Sequence, residues 1–586
     1  MTGAIIDAIA RDRPGSLTIA DPFAGGGVIG LAALLRGHKV YAQDVNPWAV
    51  RGLTTMTSLP DPADLESASG ELRDAAACLL RDAYATSLRD GTPAEIAHTF
   101  WLAQAPCRKC RRVVRLFPGA LVSLDTRVDC GGQNGFVACR AGHMHHADAS
   151  RRTRCRTCAR HVDPDERYLN GREYTCTSCG HCGPISEIGA RLSWSPILAE
   201  RVAQGAREID VPTAVERAQA SDKRWRPKRD LGTIERGPET NRLTSMGFSS
   251  WHDLYPSRQR VVLETLLDRI DDLELDDRTR NALIAVVIGA TEIAGRAARW
   301  DPRYLKVYET IANHRFNATT LAVEPNVWGA GDSGRGTIVR RVRATAKASL
   351  WLDEHIGRTL HVDGPVPVGR RRGRLPADLD LRVVEGSSAR LVVPDASLDF
   401  VVTDPPYHDD VHYGELSNIF RAWADLPLGS IDGDVIVARG AADETTKIYR
   451  AQLEAVFSEV SRALKPNGHL ILSYANRAPI AWVALFGALQ AAGFHALGYE
   501  VVVSENADDY AKAGRRSCNL DVLLDLVVTS VKPKQQHRAR SVPKGDEGQY
   551  CRQIGDAALR IGDLPEGWED EFVKRLREAR FLSANG

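Results

Sequence analysis

The stretch Val401–Tyr413, VVTDPPYHDDVHY, places a carboxylate, a rigid turn and an aromatic ring at the end of a predicted buried strand. An exocyclic amine on a nucleobase is a poor nucleophile because its lone pair is delocalised into the ring. The Asp404 carboxylate and the Pro405 carbonyl can accept the N–H hydrogens of such an amine. After Pro406, the Tyr407 ring can stack on a base turned out of its duplex. The turn therefore predicts chemistry at a base amine, although Asp-Pro-Pro also fits an ordinary Asx turn.

A glycine turn near the N-terminus is the second motif with chemical meaning. A predicted strand, Leu17–Phe23, leads into Ala24-Gly25-Gly26-Gly27, a helical pattern follows, and a second strand, His38–Ala42, precedes an acid. Glycines let the backbone approach a ligand, and the acid can bind ribose hydroxyls. The pattern F-x-G-x-G differs from the G-x-G-x-x-G of nicotinamide-binding folds and favours S-adenosylmethionine, with a glycine turn of another α/β protein as the alternative. The candidate cofactor-binding residues are Asp21, Phe23, Ala24, Gly25, Gly27 and Asp44.

Cysteine pairs between residues 101 and 190 predict zinc. Two C-x-x-C pairs separated by residues 159–175 have the spacing of a zinc ribbon, in which four thiolates close a tetrahedron. The prediction of a second site is weaker, because other residues are rival ligands and free thiols are an alternative. The rival ligands are Cys130, His145, His146 and His161. Sites with four protein ligands are structural. The first predicted set is Cys155, Cys158, Cys176 and Cys179, and the second is Cys107, Cys110, Cys139 and His143.

Length and composition limit the class of protein. A chain of 586 residues is too long for one core and predicts two to four domains. The net charge of +1 argues neither for nor against nucleic acid, so only local basic clusters are informative. The apolar run Leu283–Ala290 is too short to span a bilayer, and no signal-peptide pattern is found. Twelve cysteines in such a chain indicate metal binding rather than disulfides, and we expect a cytoplasmic protein without membrane contact.

The sequence pattern predicts one α/β sheet that is split by an insertion. Both strand-end motifs belong to incomplete α/β halves, which together would make one doubly wound, Rossmann-like sheet interrupted by zinc-ribbon and helical modules. Within the insertion, the cation-rich segment Lys223–Arg229 is interpreted as an exposed linker that could also track phosphates. The predicted divisions are a cofactor part (1–60), a helical connector (61–100), a zinc-ribbon module (101–190), a helical module for target recognition (191–330), a basic linker (331–380), a DPPY part (381–530) and a basic, helical tail (531–586).

Over most of residues 17–530 the chain resembles the zinc-ribbon-containing, adenine-specific DNA methyltransferases of bacteria and archaea. The order of its motifs resembles the alpha arrangement of amino-methyltransferases. The resemblance implies that Phe23, Gly25, Gly27 and Asp44 hold S-adenosylmethionine. It also implies that Asp404, Pro405 and Tyr407 bind and activate the adenine amine. The motifs that carry it are DPFAGGG (21–27), VYAQDVNP (40–47), TFWLAQAPCRKC (99–110), WHDLYPSRQ (251–259), LAVEPN (321–326), TDPPYHDDVHYGELSNIF (403–420) and LKPNGHLILSYAN (464–476).

The expected activity is transfer of a methyl group from S-adenosylmethionine to adenine N6 in double-stranded DNA, in restriction-modification or phage defence by kinship. Cytosine N4 presents the same chemical problem, RNA is an alternative substrate, and a non-catalytic DNA-binding subunit is a rival from another class. Relatives carry a longer segment before the cofactor strand, whereas only twenty residues precede Asp21. A partner chain is therefore expected to supply the missing cover of the cofactor, or the cofactor site is weakened.

Overall fold

A computed structural model describes most of the chain. The described residues are 2–11, 13, 15–312, 314–332, 334–355, 358–361, 364–367, 381–408, 411–431, 434–435, 442–504, 518–530, 533–579 and 581. Residues 368–380 of the predicted basic linker and residues 409–410 of the DPPY stretch lie outside this set. None of the helices in the described part is both long and apolar enough to cross a membrane.

Helices and strands alternate through the first and last parts of the chain, and strands dominate between them. The helices are α1 (Thr2–Arg11), α2 (Val28–Leu34), α3 (Pro47–Thr57), α4 (Pro62–Ala75), α5 (Ala77–Tyr84), α6 (Ala214–Ala220), α7 (Asn241–Thr244), α8 (Ser257–Asp272), α9 (Asp277–Ala290), α10 (Ile338–His355), α11 (Tyr413–Trp423), α12 (Ala442–Ala463), α13 (Pro479–Ala491), α14 (Asp546–Ala558) and α15 (Trp568–Arg577). The strands are β1 (Thr18–Asp21), β2 (Lys39–Asp44), β3 (Ala85–Ser87), β4 (Pro93–Pro106), β5 (Val113–Arg115), β6 (Leu121–Leu124), β7 (Asn134–Ala138), β8 (Met144–Asp148), β9 (Thr153–Arg154), β10 (His161–Val162), β11 (Glu173–Thr175), β12 (Cys182–Pro184), β13 (Ser193–Ala203), β14 (Ala206–Asp210), β15 (Arg299–Asp301), β16 (Lys306–Tyr308), β17 (Leu321–Pro325), β18 (Arg358–His361), β19 (Gly364–Pro367), β20 (Leu381–Glu385), β21 (Leu398–Thr403), β22 (Leu464–Tyr474), β23 (Phe494–Val503) and β24 (Leu520–Val528).

The chain forms two compact units. Unit 1 comprises Met1–Ser58, Trp351–Gly414 and Ser430–Gly586, and unit 2 comprises Leu59–Leu350 and Glu415–Gly429. The segments before and after the long insertion therefore belong to the same unit.

Unit 1 contains a seven-stranded sheet in the order β20-β2-β1-β21-β22-β24-β23. The first five strands run parallel, and β24 lies antiparallel between β22 and β23. Strand order reverses between β1 and β21, which makes that pair the switch point of the sheet. In open α/β sheets, ligands bind outside the carboxyl ends of the strands at this place.

Both faces of this sheet are buried, which is the property of a doubly wound fold. Ile19, Val40 and Phe400 pack on one face in a cluster with residues of α1, α2 and α3. Their neighbours Ala20 and Val401 point to the opposite face, into a larger core with α12 and α13. The predicted fold class, a doubly wound α/β sheet with an inserted cysteine-rich region, is confirmed.

The C-terminal tail completes the larger of these two cores. Trp568 and Phe572 of α15 lie against Phe486 of α13, with ring centroids 6.2 and 5.6 Å apart, respectively. The Tyr499 hydroxyl of β23 donates to Asp556 of α14 at 3.0 Å. The tail is therefore part of the sheet domain.

Unit 2 is built on an antiparallel sheet around the long strand β4. The order is β14-β13-β4-β17-β15-β16, and β3 and β5 also pair with β4. A three-stranded sheet, β6-β7-β8, and the two short hairpins β9-β10 and β11-β12 carry the cysteine-rich region.

A buried ion pair ties together three motifs of the sequence in unit 2. Arg258 of α8 donates from Nε and Nη2 to the Glu324 carboxylate of β17 at 3.0 and 2.8 Å, and both side chains are fully buried. Trp101 Nε1 donates to the same carboxylate at 2.8 Å, and Arg258 Nη2 also reaches the Thr99 hydroxyl at 2.9 Å. Removing one partner of such a pair leaves an uncompensated buried charge, which costs about 3–5 kcal/mol. These motif residues therefore hold the fold of unit 2.

The insertion contains more strands than the sequence indicated. The predicted helical module 191–330 includes β13 to β17, and α10 occupies Ile338–His355 of the predicted linker. Glu200 and Arg201 interrupt the apolar alternation of β13, yet both are buried because each forms an ion pair, with Arg207 and Glu216 respectively. The segment Lys223–Arg229 is also not an exposed linker throughout. Its Trp225 is buried, and the backbone N–H groups of Lys228 and Arg229 donate to Glu264.

Candidate active site and metal centres

The two strand-end motifs meet at the carboxyl edge of the unit 1 sheet. Residues Ile19 and Ala20 of β1 pair in parallel with Phe400 and Val401 of β21. At the end of the two strands, the Thr403 hydroxyl donates to Asp21 Oδ1 at 2.8 Å. The glycine turn after β1 and the DPPY turn after β21 therefore start side by side, although more than 370 residues separate them in sequence.

Asp21 is a buried acid. The Phe23 N–H and the Thr403 hydroxyl both donate to its Oδ1 atom, at 3.1 and 2.8 Å. Burial raises the pKa of Asp21 to about 7, although these two hydrogen bonds act in the opposite direction. Asp21 thus fixes the geometry of the turn and is protonated in much of the folded protein near neutral pH.

The glycine turn is open to a ligand on one side. Gly25 and Gly27 have φ values of 46° and 74°, in the left-handed region that favours glycine. A Cβ on Gly27 would lie 2.2 Å from Leu53 Cδ1, whereas a Cβ on Gly26 would meet nothing within 4 Å. The Phe23 side chain is half-buried and Ala24 is buried beside the turn. The backbone can therefore be approached closely at Gly26.

Asp44 follows β2 at the same edge. Its Oδ2 atom accepts from the Gly25 N–H at 2.7 Å and its Oδ1 atom from the Asn46 N–H at 2.8 Å. Burial raises the pKa of Asp44, and these N–H donors lower it in part. The carboxylate is held against the glycine turn, where it could accept hydrogen bonds from the hydroxyls of a ribose.

An open cleft of about 730 Å³ adjoins this end of β2. Gln43 forms one wall, and its Nε2 atom donates to the carbonyls of Ser387 and Arg390 at 2.9 and 3.1 Å. The loop after β20 is also fixed by the Ser388 hydroxyl, which donates to the Pro22 carbonyl at 2.6 Å. The lining residues are Gln43, Val384, Glu385, Gly386, Ser387, Arg390, Leu391, Val392, Val393 and Pro394. The volume is in the range of small-molecule sites.

In the DPPY turn, the Asp404 carboxylate is exposed and the Tyr407 ring is half-buried. The Tyr407 hydroxyl donates to Asp404 Oδ2 at 3.4 Å. Burial, reinforced by the Asp404 charge, raises the pKa of Tyr407, so its hydroxyl stays neutral. In the part of the chain that the structure describes, no donor contacts the Pro405 carbonyl. Two acceptors of the turn, from Asp404 and Pro405, thus lie at the sheet edge with the tyrosine ring.

A buried tyrosine network supports the DPPY turn from below. The Tyr449 hydroxyl of α12 donates to the Pro406 carbonyl at 2.7 Å and contacts the Tyr474 hydroxyl at 3.1 Å. The Tyr474 hydroxyl of β22 accepts from the His408 N–H at 3.3 Å, and its ring meets the Tyr407 ring edge-on at 5.0 Å. No sequence motif indicates a role for Tyr449 or Tyr474 in supporting the turn. Tyr474 ends the strand next to β21, so its position at the same sheet edge was the available signal.

The cysteine-rich region forms two groups of metal-ligand side chains in unit 2. The ligand atoms of each group lie within 4.8 Å of one another, and the groups are Cys107, Cys110, Cys176 and Cys179, and Cys139, His143, Cys155 and Cys158. The predicted division of these eight residues is therefore wrong. The first and last pairs share one centre and the two middle pairs share the other, because β11-β12 brings Cys176 back to the knuckle at Cys107. The rival ligands Cys130, His145, His146 and His161 belong to neither group.

The distances in both groups fit zinc. A tetrahedron with Zn–S bonds of about 2.3 Å separates its sulfurs by about 3.8 Å and a sulfur from an imidazole nitrogen by about 3.6 Å. In the first group, Sγ of Cys107 lies 3.8 Å from that of Cys179, and Sγ of Cys110 lies 3.6 Å from that of Cys176. In the second group, Cys139 Sγ lies 3.6 Å from His143 Nδ1. Both donor sets are closed by four protein ligands, which indicates a structural role.

Each C-x-x-C pair sits on a tight backbone knuckle. The Cys107 N–H donates to the Arg112 carbonyl and the Arg111 N–H to the Cys107 carbonyl, and the pairs at Cys155 and Cys176 repeat this pattern. Burial raises the pKa of the Cys107 thiol, but the N–H groups of Cys110 and Lys109 outweigh it and lower the pKa to about 6. At Cys107, the backbone of the knuckle therefore favours the thiolate that a metal requires.

The chain matches no protein-family model and no curated protein. Among solved structures, a candidate DNA modification methylase of Thermus thermophilus complexed with S-adenosyl-L-methionine is 15% identical. The similarity covers 34% of this chain and 94% of that chain, with a TM-score of 0.16. The PvuII DNA methyltransferase, which is cytosine-N4-specific, is 14% identical over 29% of this chain and 61% of that chain, with a TM-score of 0.17.

A Haloferax volcanii complex of a candidate methyltransferase with the methyltransferase activator Trm112 is 13% identical over 26% of this chain and 63% of that chain, with a TM-score of 0.16. The similarity of this chain to a selenomethionine form of the Thermus protein covers 56% of that protein's length. Similarities with TM-scores this low assign no function.

Two double variants that share Cys179 test the pairing of the metal ligands. Cys110→Ser/Cys179→Ser removes two ligands from one centre, so the variant retains one of the two zinc ions. Cys155→Ser/Cys179→Ser removes one ligand from each centre, so both ions are lost. The zinc-to-protein ratio after dialysis against a weak chelator measures this. The opposite pattern would support the sequential pairing of neighbouring motifs.

A pH series on Asp21→Asn tests the buried acid. The folded-state pKa of about 7 lies above the ordinary value of 3.8, so the folded protein binds this proton more tightly than the unfolded chain does. The contribution of Asp21 is fully present below pH 4 and is lost as the pH rises through 7. Between pH 5 and pH 8, the free energy of unfolding of the wild type should fall relative to Asp21→Asn by roughly 2–3 kcal/mol. A constant difference between the two proteins in urea unfolding would contradict the raised pKa.

Proposed function

We propose that this chain is an S-adenosylmethionine-dependent DNA methyltransferase that modifies the N6 amine of adenine. The observation that carries the proposal is the juxtaposition of the glycine turn after β1 and the DPPY turn after β21, joined by the hydrogen bond from Thr403 to Asp21. A cofactor turn and a set of amine acceptors at one sheet edge are what a direct transfer between two bound molecules requires.

The residues of the glycine turn fit the cofactor. Gly26 leaves space for a ligand, Asp44 presents a carboxylate beside the turn, and the cleft along the neighbouring Gln43 has a volume in the range of small-molecule sites. Phe23, Ala24, Gly25 and Gly27 shape the turn, and Asp21 holds it. When bound, S-adenosylmethionine supplies a methyl group on a sulfonium sulfur, whose C–S bond breaks as the N–C bond forms.

The residues of the DPPY turn would act on the amine. The Asp404 carboxylate and the Pro405 carbonyl accept its two N–H hydrogens, which directs the nitrogen lone pair out of the plane of the base. The Tyr407 ring stacks on the extruded base. Pro406, held by Tyr449, keeps the turn rigid. Asp404 can retain the proton that the amine loses once the new bond has formed. Catalysis then depends on orientation and on fixed acceptors, without a covalent enzyme intermediate.

We assign adenine as the target base because an aspartate precedes Pro405. The stretch TDPPYHDDVHY that contains it resembles that of adenine-specific enzymes. Cytosine N4 carries the same kind of amine, and the acceptors of the turn fit it equally well. The exposed Asp404 and the open glycine turn favour an enzyme over a non-catalytic DNA-binding subunit. A role in restriction-modification or phage defence follows from kinship with the family that the motifs resemble.

Replacing Asp404 by Ala separates chemistry from cofactor binding. Asp404 accepts from the amine and lies outside the glycine turn, so kcat should fall by at least about 100-fold, while the Kd for S-adenosylmethionine stays within about twofold of the wild type. Transfer of labelled methyl to unmethylated duplex DNA gives kcat, and isothermal titration gives Kd.

The control variant is Asp570→Ala, which removes an exposed carboxylate from α15 in the same unit. It should retain the wild-type kcat. If Asp404→Ala lost cofactor binding as severely as it lost methyl transfer, the variant would be misfolded and Asp404→Asn would replace it. If Asp404→Ala transferred methyl groups at the wild-type rate, the proposed role of the turn would be wrong.

A further inference from the structure

The metal knuckles of unit 2 carry cations on their outer surfaces. Residues 107–115 read CRKCRRVVR and residues 154–160 read RCRTCAR, and neither stretch contains an acid. The ligands Cys107 and Cys155 are buried, whereas the cations beside them are exposed. The exposed cations of the two knuckles are Arg108, Lys109, Arg111, Arg112, Arg154, Arg156 and Arg160.

These cations are poorly compensated. Within the described residues, Arg108 lies 3.9 Å from Glu187, and the other six have no carboxylate within 4.0 Å. Some other exposed arginines of unit 2 are paired at short distances, for example Arg127 with Asp129 at 2.6 Å and Arg269 with Asp272 at 3.0 Å, whereas single arginines such as Arg167 and Arg191 have no carboxylate within 4.0 Å among the described residues. What distinguishes the knuckles is clustering, because seven exposed cations lie in two short stretches with one carboxylate within 4.0 Å among the described residues, although the whole chain is nearly neutral.

The inner residues of all three C-x-x-C loops share one chemical property. They are Arg108-Lys109, Arg156-Thr157 and Thr177-Ser178, and each of these side chains is exposed. Every one of them can donate a hydrogen bond to a phosphate oxygen, and none is acidic or apolar.

The backbone of the knuckles fixes the positions from which these side chains extend. The Arg111 residue has a φ of 61°, and the equivalent Ala159 has a φ of 57°. For residues other than glycine, this left-handed conformation costs roughly 1–2 kcal/mol. The two metal loops are also connected, because Arg115 Nη1 donates to the Gly142 carbonyl at 2.6 Å. The cations therefore belong to one ordered body of unit 2.

We infer that the knuckles at Cys107 and Cys155 form a phosphate-binding surface for the backbone of duplex DNA. The inference rests on the proposed function for the identity of its partner. The exposed large hydrophobic residues of unit 2 include no aromatic side chain of the knuckles, so the surface lacks the stacking platforms with which single strands are bound. Arginine, lysine and hydroxyl donors contact phosphates and carry no base specificity. The surface therefore positions DNA and contributes affinity that depends on salt.

Salt titrations of full-length, zinc-loaded protein test this surface. The affinity for a fluorescent, unmethylated duplex is measured by anisotropy without cofactor, at salt concentrations from about 50 to about 300 mM NaCl. The logarithm of the association constant falls linearly with the logarithm of the salt concentration, and each lost phosphate contact reduces the steepness of this fall by about 1. The double variant Lys109→Gln/Arg112→Gln should reduce the magnitude of the slope by about 1 to 2 and weaken binding at low salt. Arg156→Gln/Arg160→Gln should act similarly.

The matched control is Arg127→Gln/Arg269→Gln, which removes the same charge from two exposed but paired arginines of unit 2. Its slope should equal that of the wild type. Equal slopes for knuckle and control variants, with two zinc ions retained in each, would overturn the inference. If the knuckle variants changed the salt dependence of binding to RNA but not to duplex DNA, the assignment to duplex DNA would be overturned. Because no cofactor is present, these outcomes are independent of whether the wild-type protein transfers methyl groups.

Discussion

The parallel pairing of β1 with β21 is the constraint on which unit 1 depends. Each strand alone ends an incomplete half-sheet, and burial of both faces requires that the two become neighbours. The pair is fixed at both ends. Asp399 accepts from the Thr18 N–H at 2.9 Å and from Lys465 at 2.7 Å at one end, and Thr403 donates to Asp21 at the other. Because both chemical turns leave the sheet here, the pairing that stabilises the fold also assembles the candidate site.

Unit 2 depends on two kinds of long-range closure. The buried pair of Arg258 and Glu324 connects a helix to the central antiparallel sheet, and the nested metal ligands close the cysteine-rich region. The nesting has a physical consequence, because the centre that contains Cys107 and Cys179 encloses the entire segment that forms the other centre. Metal binding at the outer centre thus restrains a long loop, whose apolar residues such as Val122 and Phe136 pack in one core with the central antiparallel sheet.

Features whose chemistry is local could be predicted from the sequence. Features that depend on partners far away in the chain could not. The Asp21 and Asp404 turns were predictable because a strand, a turn and a ligand group are contiguous, and the edge rule for parallel strands placed them together. The metal ligands were identified by type, but C-x-x-C spacing contains no information about which distant pair completes a centre. β13 was missed because Glu200 and Arg201, buried in ion pairs, interrupt its apolar pattern. Tyr449 supports Pro406 from a helix about forty residues away, and no local pattern indicates this contact.

The most direct test of the account is the identity of the base that receives the methyl group. Zinc-loaded protein is incubated with S-adenosylmethionine labelled in its methyl group and with unmethylated genomic DNA, and the digested nucleosides are analysed by mass spectrometry. We expect labelled N6-methyladenine. Labelled N4-methylcytosine would preserve the amine chemistry and contradict the base assignment. Absence of any labelled base from protein with both metal centres filled would contradict the proposed catalytic role.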